Sequence, residues 1–348
     1  MFKRILVTGG AGFIGFHLCK RLIEENFSVF SIDNLNNYYD VSLKERRNQE
    51  LEYITQEKKS SFKFLKLDIS DKKELEIIFN KFKPSVVVNL AAQAGVRYSI
   101  ENPSAYVQSN LVGFANILEE CSKHNVEHLV YASSSSVYGG NKELPFSECS
   151  GVDHPVSLYA ATKRSNELMA HTYSHIHNLP ATGLRFFTVY GPWGRPDMAL
   201  FKFTNSIYND LPIDVFNNGK MSRSFTYIDD VIEGLYRVMN KPPKPDNDFF
   251  EKPKNPSSSW APHKIFNIGN SKSNNLLDYI KEIENVMKKK AIKNYLPFQS
   301  GDMRETSANT DLLEEYIDYK PKISIEEGIK EFIKWYKNYA INSKEYLK

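Results

Sequence analysis

The sequence predicts a doubly wound α/β fold, a parallel sheet with helices on both faces, joined to a smaller mixed α/β C-terminal domain. Three observations carry this expectation. Short apolar runs alternate with helical periodicity through the first half of the chain, the pattern of repeated βα units. A glycine-rich turn joins the first apolar run to the first helix. After Phe187 the pattern gives way to proline-punctuated loops, short strands and separate helices.

Residues 4–8, Arg-Ile-Leu-Val-Thr, are a short apolar run of the kind buried on both faces of a parallel sheet. Thr8-Gly9-Gly10-Ala11-Gly12-Phe13-Ile14-Gly15 follows, and then helical periodicity to residue 25 with Ile14, Leu18, Leu22 and Ile23 on one side. A buried strand turning through glycines into a helix presents backbone N–H groups and a positive dipole end, a site for phosphate or pyrophosphate. Gly10-x-Gly12-x-x-Gly15 fits the dinucleotide fingerprint, and Gly9-x-x-Gly12-x-x-Gly15 fits its shifted relative. Gly9, Gly12, Phe13, Ile14 and Gly15 are therefore candidate cofactor contacts. A second strand over 28–32 ends in Asp33. A carboxylate about 20 residues beyond the glycines is placed to bind the adenosine ribose hydroxyls, and it favours NAD over NADP because a 2′-phosphate would meet like charge.

Further strands are expected over 62–67, 86–90, 128–132 and 181–187, with helices over 72–81, 104–124 and 158–178. Ligands of such sheets lie beyond the carboxyl ends of the strands. Asp68 and Ile69, after the third strand, are candidate adenine-side contacts, with Asp68 equally suited to cap the next helix. Ala91 and Ala92, after the fourth, are small enough for backbone to lie against a cofactor. Helices over 200–209, 275–288 and 324–340 belong to the second half, and 241–263, rich in Pro, Asn and Ser, reads as an exposed excursion. The expected division is a dinucleotide-binding domain over 1–184, with returning segments near 222–241 and 263–272, and a substrate domain over 185–348.

The 348 residues are 41% hydrophobic and 25% charged, with a net charge of +3. These are ordinary values for a globular protein, and the charge surplus is too small to imply a nucleic-acid partner. Cys19, Cys121 and Cys149 show no paired spacing, which argues against a disulfide framework or a metal site and for a reducing compartment. The chain enters its first strand almost at once, leaving no room for a signal peptide, and no apolar run approaches about 18 residues. A cytoplasmic protein that does not contact membrane is expected.

Tyr159-Ala160-Ala161-Thr162-Lys163 is the chemical centre of the sequence. Residues four apart share a helix face, so the phenol and the ammonium can point at one place. A nearby ammonium favours phenolate and is expected to lower the tyrosine from its usual value of about 10, which lets it remove a proton from a sugar hydroxyl near neutral pH. Ser133-Ser134-Ser135-Ser136-Val137-Tyr138-Gly139 directly follows the fifth strand, so its hydroxyls stand at the carboxyl edge of the sheet.

A glycine turn, an acidic strand end, a hydroxyl run and a Tyr/Lys pair in this order resemble the extended short-chain dehydrogenase/reductase superfamily, in particular its nucleotide-sugar epimerases. The resemblance spans essentially the whole chain. It implies a Rossmann-type NAD domain and a smaller nucleotide-sugar domain. It implies Ser134 as the catalytic hydroxyl, Tyr159 as base, and Lys163 holding both the tyrosine and the nicotinamide ribose. Asn110 matches a position near the cofactor and an active-site water, and Phe187 one that contacts the nicotinamide amide. Helices 104–124 and 158–178 resemble a pair that forms a four-helix homodimer interface.

Within the superfamily, dehydratases usually carry an Asp-Glu pair after the fifth strand, where this chain has Ser135 and Ser136. Related decarboxylases carry a Glu just before Val-Tyr-Gly, where this chain again has Ser136. Thr188-Val189-Tyr190-Gly191-Pro192-Trp193-Gly194-Arg195-Pro196-Asp197-Met198 is similar to the corresponding segment of UDP-glucuronate 4-epimerases, as is Ala94-Gly95-Val96-Arg97-Tyr98-Ser99. The resemblance implies that Thr188, Arg195 and the Ser135 and Ser136 hydroxyls surround a uronate carboxylate, whose four lone-pair sites they match. Arg97 is a further cation near the substrate, or a partner for an acidic side chain. Arg223 and Arg304 fit the family's diphosphate-binding arginines, with Phe216 a further substrate contact. The loop around Met303-Arg304-Glu305-Thr306 resembles instead the relatives that act on N-acetylhexosamines. The expected reaction is NAD-dependent epimerisation at carbon 4 of a UDP-hexuronate (UDP-glucuronate to UDP-galacturonate) through a 4-keto sugar, with a UDP-glucose or UDP-N-acetylhexosamine 4-epimerase as the alternative and a related nucleotide-sugar decarboxylase or dehydratase behind it.

Overall fold

The computed structural model describes residues 3–251, 255–298 and 305–345. Strands β1 (Arg4–Thr8), β2 (Ser28–Asp33), β3 (Ser61–Lys66), β4 (Val86–Asn89), β5 (His128–Ser134) and β6 (Ala181–Phe186) follow the predicted order. The chain then leaves the sheet at Phe187 and makes the short strands β7 (Thr188–Tyr190), β8 (Pro212–Val215), β9 (Ser222–Arg223) and β10 (Phe225–Tyr227) before β11 (His263–Ile268) returns. The main sheet has the order β11-β6-β5-β4-β1-β2-β3, and every pairing in it is parallel. β7 pairs with β10 outside this sheet.

Burial explains the central strands. All four residues of β4 are buried. In β1, Ile5 and Val7 pack into one apolar layer and Leu6 into the other, as the two-residue period of a strand requires. Helices α1 (Phe13–Glu24) and α2 (Val41–Lys58) cover one face, together with the later α9 (Ile228–Met239). α3 (Lys72–Phe82), α6 (Phe114–Lys123) and α7 (Leu158–His177) cover the other. Asp71 caps α3 by accepting from Glu74 N–H, and Ser157 caps α7 by accepting from Ala160 N–H, each satisfying a donor the helix start leaves open.

Two elements depart from expectation. The periodicity predicts one helix over 104–124, but the chain forms α4 (Tyr98–Glu101), α5 (Pro103–Tyr106), a π-helical turn over Val107–Gly113, and only then α6. π-turns commonly mark functional sites, and this one carries Asn110. The 18-residue α2 was not singled out from the sequence, because buried Lys44, Arg47 and Asn48 interleave with Leu43, Leu51 and Ile54 and blur the apolar stripe. Among the described residues, no helix is long and apolar enough to cross a membrane.

A fully buried ion pair locks α7 to the strands it crosses. Arg185 of β6 donates from Nε to Glu167 Oε1 at 2.8 Å and from Nη2 to Oε2 at 3.0 Å. Ser133 Oγ donates to the same carboxylate at 2.7 Å, and Arg185 Nη1 donates to the Tyr138 hydroxyl at 3.1 Å. Replacing Glu167 by Leu leaves a buried guanidinium without its counter-charge and is expected to cost about 3–5 kcal/mol of stability in urea unfolding, whereas the double change with Arg185→Met costs less.

Candidate functional site

The carboxyl ends of the strands open into a cavity of about 1100 Å³. At one end the glycine turn enters α1. Gly12 is its N-cap and provides no side-chain cap, so the N–H groups of the first turn face the cavity that Phe13, Ile14 and Gly15 line. The glycines are needed for close approach of backbone to backbone. Gly9 has φ +70°, and a Cβ on Gly15 would stand 2.2 Å from the Gly9 carbonyl oxygen. Asp33, Asp68 and Ile69 line the same end. Asp33 Oδ1 accepts from Leu35 N–H at 2.9 Å, and the Lys44 ammonium lies 3.9 Å from it while donating to Asn36. Asp68 accepts from Asn34 at 2.7 Å and from both Ser70 N–H and Ser70 Oγ. The carboxylate thus holds the β2 and β3 ends together as well as lining the cavity.

At the middle of the sheet, Thr8 Oγ1 donates to Asn89 at 2.6 Å and accepts from Ala91 N–H at 3.1 Å. This pins the ends of β1 and β4 and sets Ala91 and Ala92 against the cavity. Ser134, Ser135, Ser136, Tyr159, Lys163, Phe187 and Thr188 line the same space, as do Arg97, Arg195, Phe216 and Arg223 toward the second half. Ser134 Oγ accepts from Ser136 N–H and donates to Ser136 Oγ, both at 3.1 Å. Lys163 Nζ donates to the Ala132 carbonyl at 2.9 Å.

Residues 5–269 match the NAD dependent epimerase/dehydratase family model. The chain belongs to that epimerase/dehydratase family. A probable UDP-glucuronate 4-epimerase of Rhizobium meliloti is 47% identical over 96% of this chain and 96% of its own length. The crystal structure of a UDP-glucuronic acid 4-epimerase from Bacillus cereus, in complex with UDP-glucuronic acid and NAD, superposes with a TM-score of 0.83 at 32% identity, covering 97% and 99% of the two chains. A UDP-glucose 4-epimerase of Thermotoga maritima superposes with a TM-score of 0.81 at 27% identity, covering 97% and 99%.

For this epimerase/dehydratase chain, the uncapped start of α1, the acidic Asp33 and the hollow between them fit the diphosphate and ribose of NAD. Asn110 does not face the cavity: at 1% exposure it accepts from Gln93 N–H at 2.8 Å and donates to the Gln93 carbonyl and Thr162 Oγ1. It therefore shapes the strand end beside the site from within the π-turn. Two expectations need correction. The Tyr159 phenol is raised rather than lowered. Burial is the main cause, and the Ser134 hydrogen bond and Arg195 only partly offset it. Arg195 does not present an unengaged fork, because Nε and Nη2 bind Asp197 at 2.9 and 2.5 Å. Arg97 stacks its guanidinium 5.0 Å above the Phe216 ring. Arg304 lies outside the described residues.

Sequence reasoning missed Asp197 and Tyr38, both on the cavity wall, where the Tyr38 hydroxyl donates to Asp197 at 3.2 Å. Asp197 stands two residues from Arg195, a spacing that could have flagged the pair. Tyr38 carries no local signal.

Burial lowers Lys163 to about 8 from 10.5, so the folded state disfavours its proton. The unfolded chain binds more protons between these values, and the wild type gains stability as pH rises through this window. Lys163→Met is expected to abolish turnover yet stabilise the cofactor-free protein at pH 7 by up to about 3 kcal/mol, a gain that fades toward pH 10 in thermal unfolding.

Proposed function

We propose that this chain interconverts UDP-glucuronate and UDP-galacturonate by epimerisation at carbon 4, as a cytoplasmic homodimer. The observation that carries the reading is one shared cavity wall, on which Ser134, Tyr159 and Lys163 stand beside Ser135, Ser136, Thr188 and Arg195. The first set suits proton removal from a sugar hydroxyl, and the second suits a carboxylate. The named relatives act in support. Residues 1–184 with the returning segments would hold the cofactor, and 185–348 the nucleotide sugar. β11, which joins the main sheet beside β6, supports that division.

Tyr159, once in its phenolate form, removes the proton of the 4-hydroxyl beside the Ser134 hydroxyl, which favours that form. Bound NAD supplies a reversible acceptor for the hydride from carbon 4. The Lys163 ammonium, held by Ala132, favours the phenolate form as charge develops. The 4-keto sugar turns about its diphosphate link and is reduced on its opposite face, with Tyr159 returning the proton. A 4-keto uronate is a β-keto acid and readily loses carbon dioxide. Ser135, Ser136, Thr188 and Arg195 hold its carboxylate in an orientation that resists this loss.

A second reading rests on the Arg195–Asp197 fork. A guanidinium already neutralised in this way suits a neutral sugar, and Thr306 on the cavity wall leaves room for an N-acetylated one. The exposed Val107, Val112 and Leu168, on the paired helical segments, support dimer formation through that face. The three free thiols support a reducing cytoplasm.

Incubation of the purified protein with UDP-glucuronate, without reductant, is expected to yield UDP-galacturonate and no UDP-pentose by NMR. Turnover confined to UDP-glucose or UDP-N-acetylglucosamine would establish the second reading instead. Tyr159→Phe is expected to lower kcat by about 10²–10⁴-fold. Thr188→Ala combined with Ser136→Ala is expected to release UDP-pentose above the wild-type level; if it does not, these hydroxyls do not protect the carboxylate. Light scattering is expected to show a dimer that Leu168→Glu converts to monomer.

A further inference from the structure

The α2 helix buries an arginine that the proposed chemistry does not use. Arg47 has no solvent exposure and reaches two loops far apart in sequence. Its Nη1 donates to the Ala11 carbonyl and to the Tyr39 hydroxyl, both at 2.8 Å. Its Nη2 donates to the Trp193 carbonyl at 2.5 Å and to the Gly194 carbonyl at 3.5 Å. Ala11 lies inside the dinucleotide turn, between Gly10 and Gly12. Trp193 and Gly194 lead directly into Arg195.

An apolar side chain of similar length would fill this space at lower desolvation cost. What the guanidinium adds is geometry, a rigid planar fork of five donors that meets both loops at once. The loop it grips needs external support. Trp193 has φ +60°, a left-handed conformation that a bulky residue avoids unless its surroundings impose it. The surroundings here are few and identifiable. His17 Nε2 donates to the Pro192 carbonyl at 2.9 Å, the Phe16 and Trp335 rings flank Trp193 at 5.3 and 5.4 Å, and Arg47 holds the carbonyl side. Of these, His17 and Phe16 stand on α1, which the glycine turn opens, and Arg47 of α2 bonds to that turn at Ala11.

We infer that Arg47 is a positioning residue that couples cofactor binding to recognition of the sugar carboxylate, by holding the Ala11 carbonyl and the Trp193–Gly194 turn in one fork. Any shift of the glycine turn on binding a dinucleotide is then transmitted through a single guanidinium to the turn that aims Arg195. The inference rests on the carboxylate-reading role assigned to Arg195 above. Lysine keeps the charge but concentrates it on one atom, and cannot serve both carbonyl groups in the same plane.

The test is a linkage measurement on full-length protein stripped of cofactor and titrated with NAD in the presence and absence of UDP-glucuronate. In the wild type each ligand is expected to strengthen the other by about tenfold, within the usual range of coupling between sites. In Arg47→Lys the ratio is expected to fall toward one, and KM for UDP-glucuronate to rise by about tenfold with a smaller change for UDP-glucose. His17→Leu, which cuts the second tether, is expected to lower the ratio as well, and it carries the test should Arg47→Lys not fold. An undiminished ratio in the folded variants would overturn the inference and leave Arg47 a packing residue. A wild type that neither binds nor turns over UDP-glucuronate defeats the functional reading instead, and the tether is then scored by the same ratio measured with UDP-glucose.

Discussion

Two opposite charges meet in the dry space between α7 and the carboxyl ends of β5 and β6, where Arg185 and Glu167 join through two parallel hydrogen bonds. Arg185 has no water to fall back on, so Glu167 cannot move without leaving the guanidinium stranded, and Arg164 Nη1 donates to the same carboxylate at 3.1 Å. The fork therefore sets how α7 lies across the sheet, and α7 carries both Tyr159 and Lys163. The Ser133 hydroxyl donates to the same carboxylate, which fixes the strand end one residue before Ser134. The Ser134 hydroxyl, the Tyr159 phenol and the Lys163 ammonium thus share one buried anchor, although none of them touches it directly.

Electrostatics within the cavity follow from the same burial. Removal from water raises the Tyr159 phenol and lowers the Lys163 ammonium, in each case against the charged form. The cofactor-free site therefore holds a neutral phenol, which has to give up its own proton before it can act as the base. Charge has to be drawn out by what surrounds it: the Ser134 hydroxyl, the Arg195 guanidinium and a cationic nicotinamide ring. A site built in this way keeps its base weak until the ligands are assembled. The Arg195–Asp197 pair has the same character, since a guanidinium satisfied by an internal carboxylate waits on the wall with little net charge.

Much of this was legible from local sequence. The glycine turn, the acid at the end of β2, the hydroxyl run after β5 and the Tyr159/Lys163 spacing are features of contiguous residues, and a parallel sheet sends all of its strand ends to one edge. Their meeting in a single cavity follows from that topology. Resemblance singled out Thr188, Arg195, Phe216 and Arg223, which composition and spacing alone do not reveal, and all four line the cavity. Asn110 enters the sequence reading through resemblance alone, and its burial depends on a local departure from regular α-helix. A π-turn rotates side chains out of the register that periodicity assumes, and here it turns the amide onto the Gln93 backbone.

The sequence by itself determined the order of strands and helices, the glycine turn and the Tyr159/Lys163 pair. Each depends on neighbours within a few residues: a buried apolar run, a turn only glycine can make, two side chains one helical turn apart. Only the tertiary structure decided the partners of the charged groups. Arg47 reaches Ala11 and Trp193, Arg185 reaches Glu167, and Tyr38 reaches Asp197. A charge is indifferent to sequence distance and takes the best-placed acceptor in the folded chain, because burial makes an unpaired one costly. Those choices appear only once the sheet and its loops are in place.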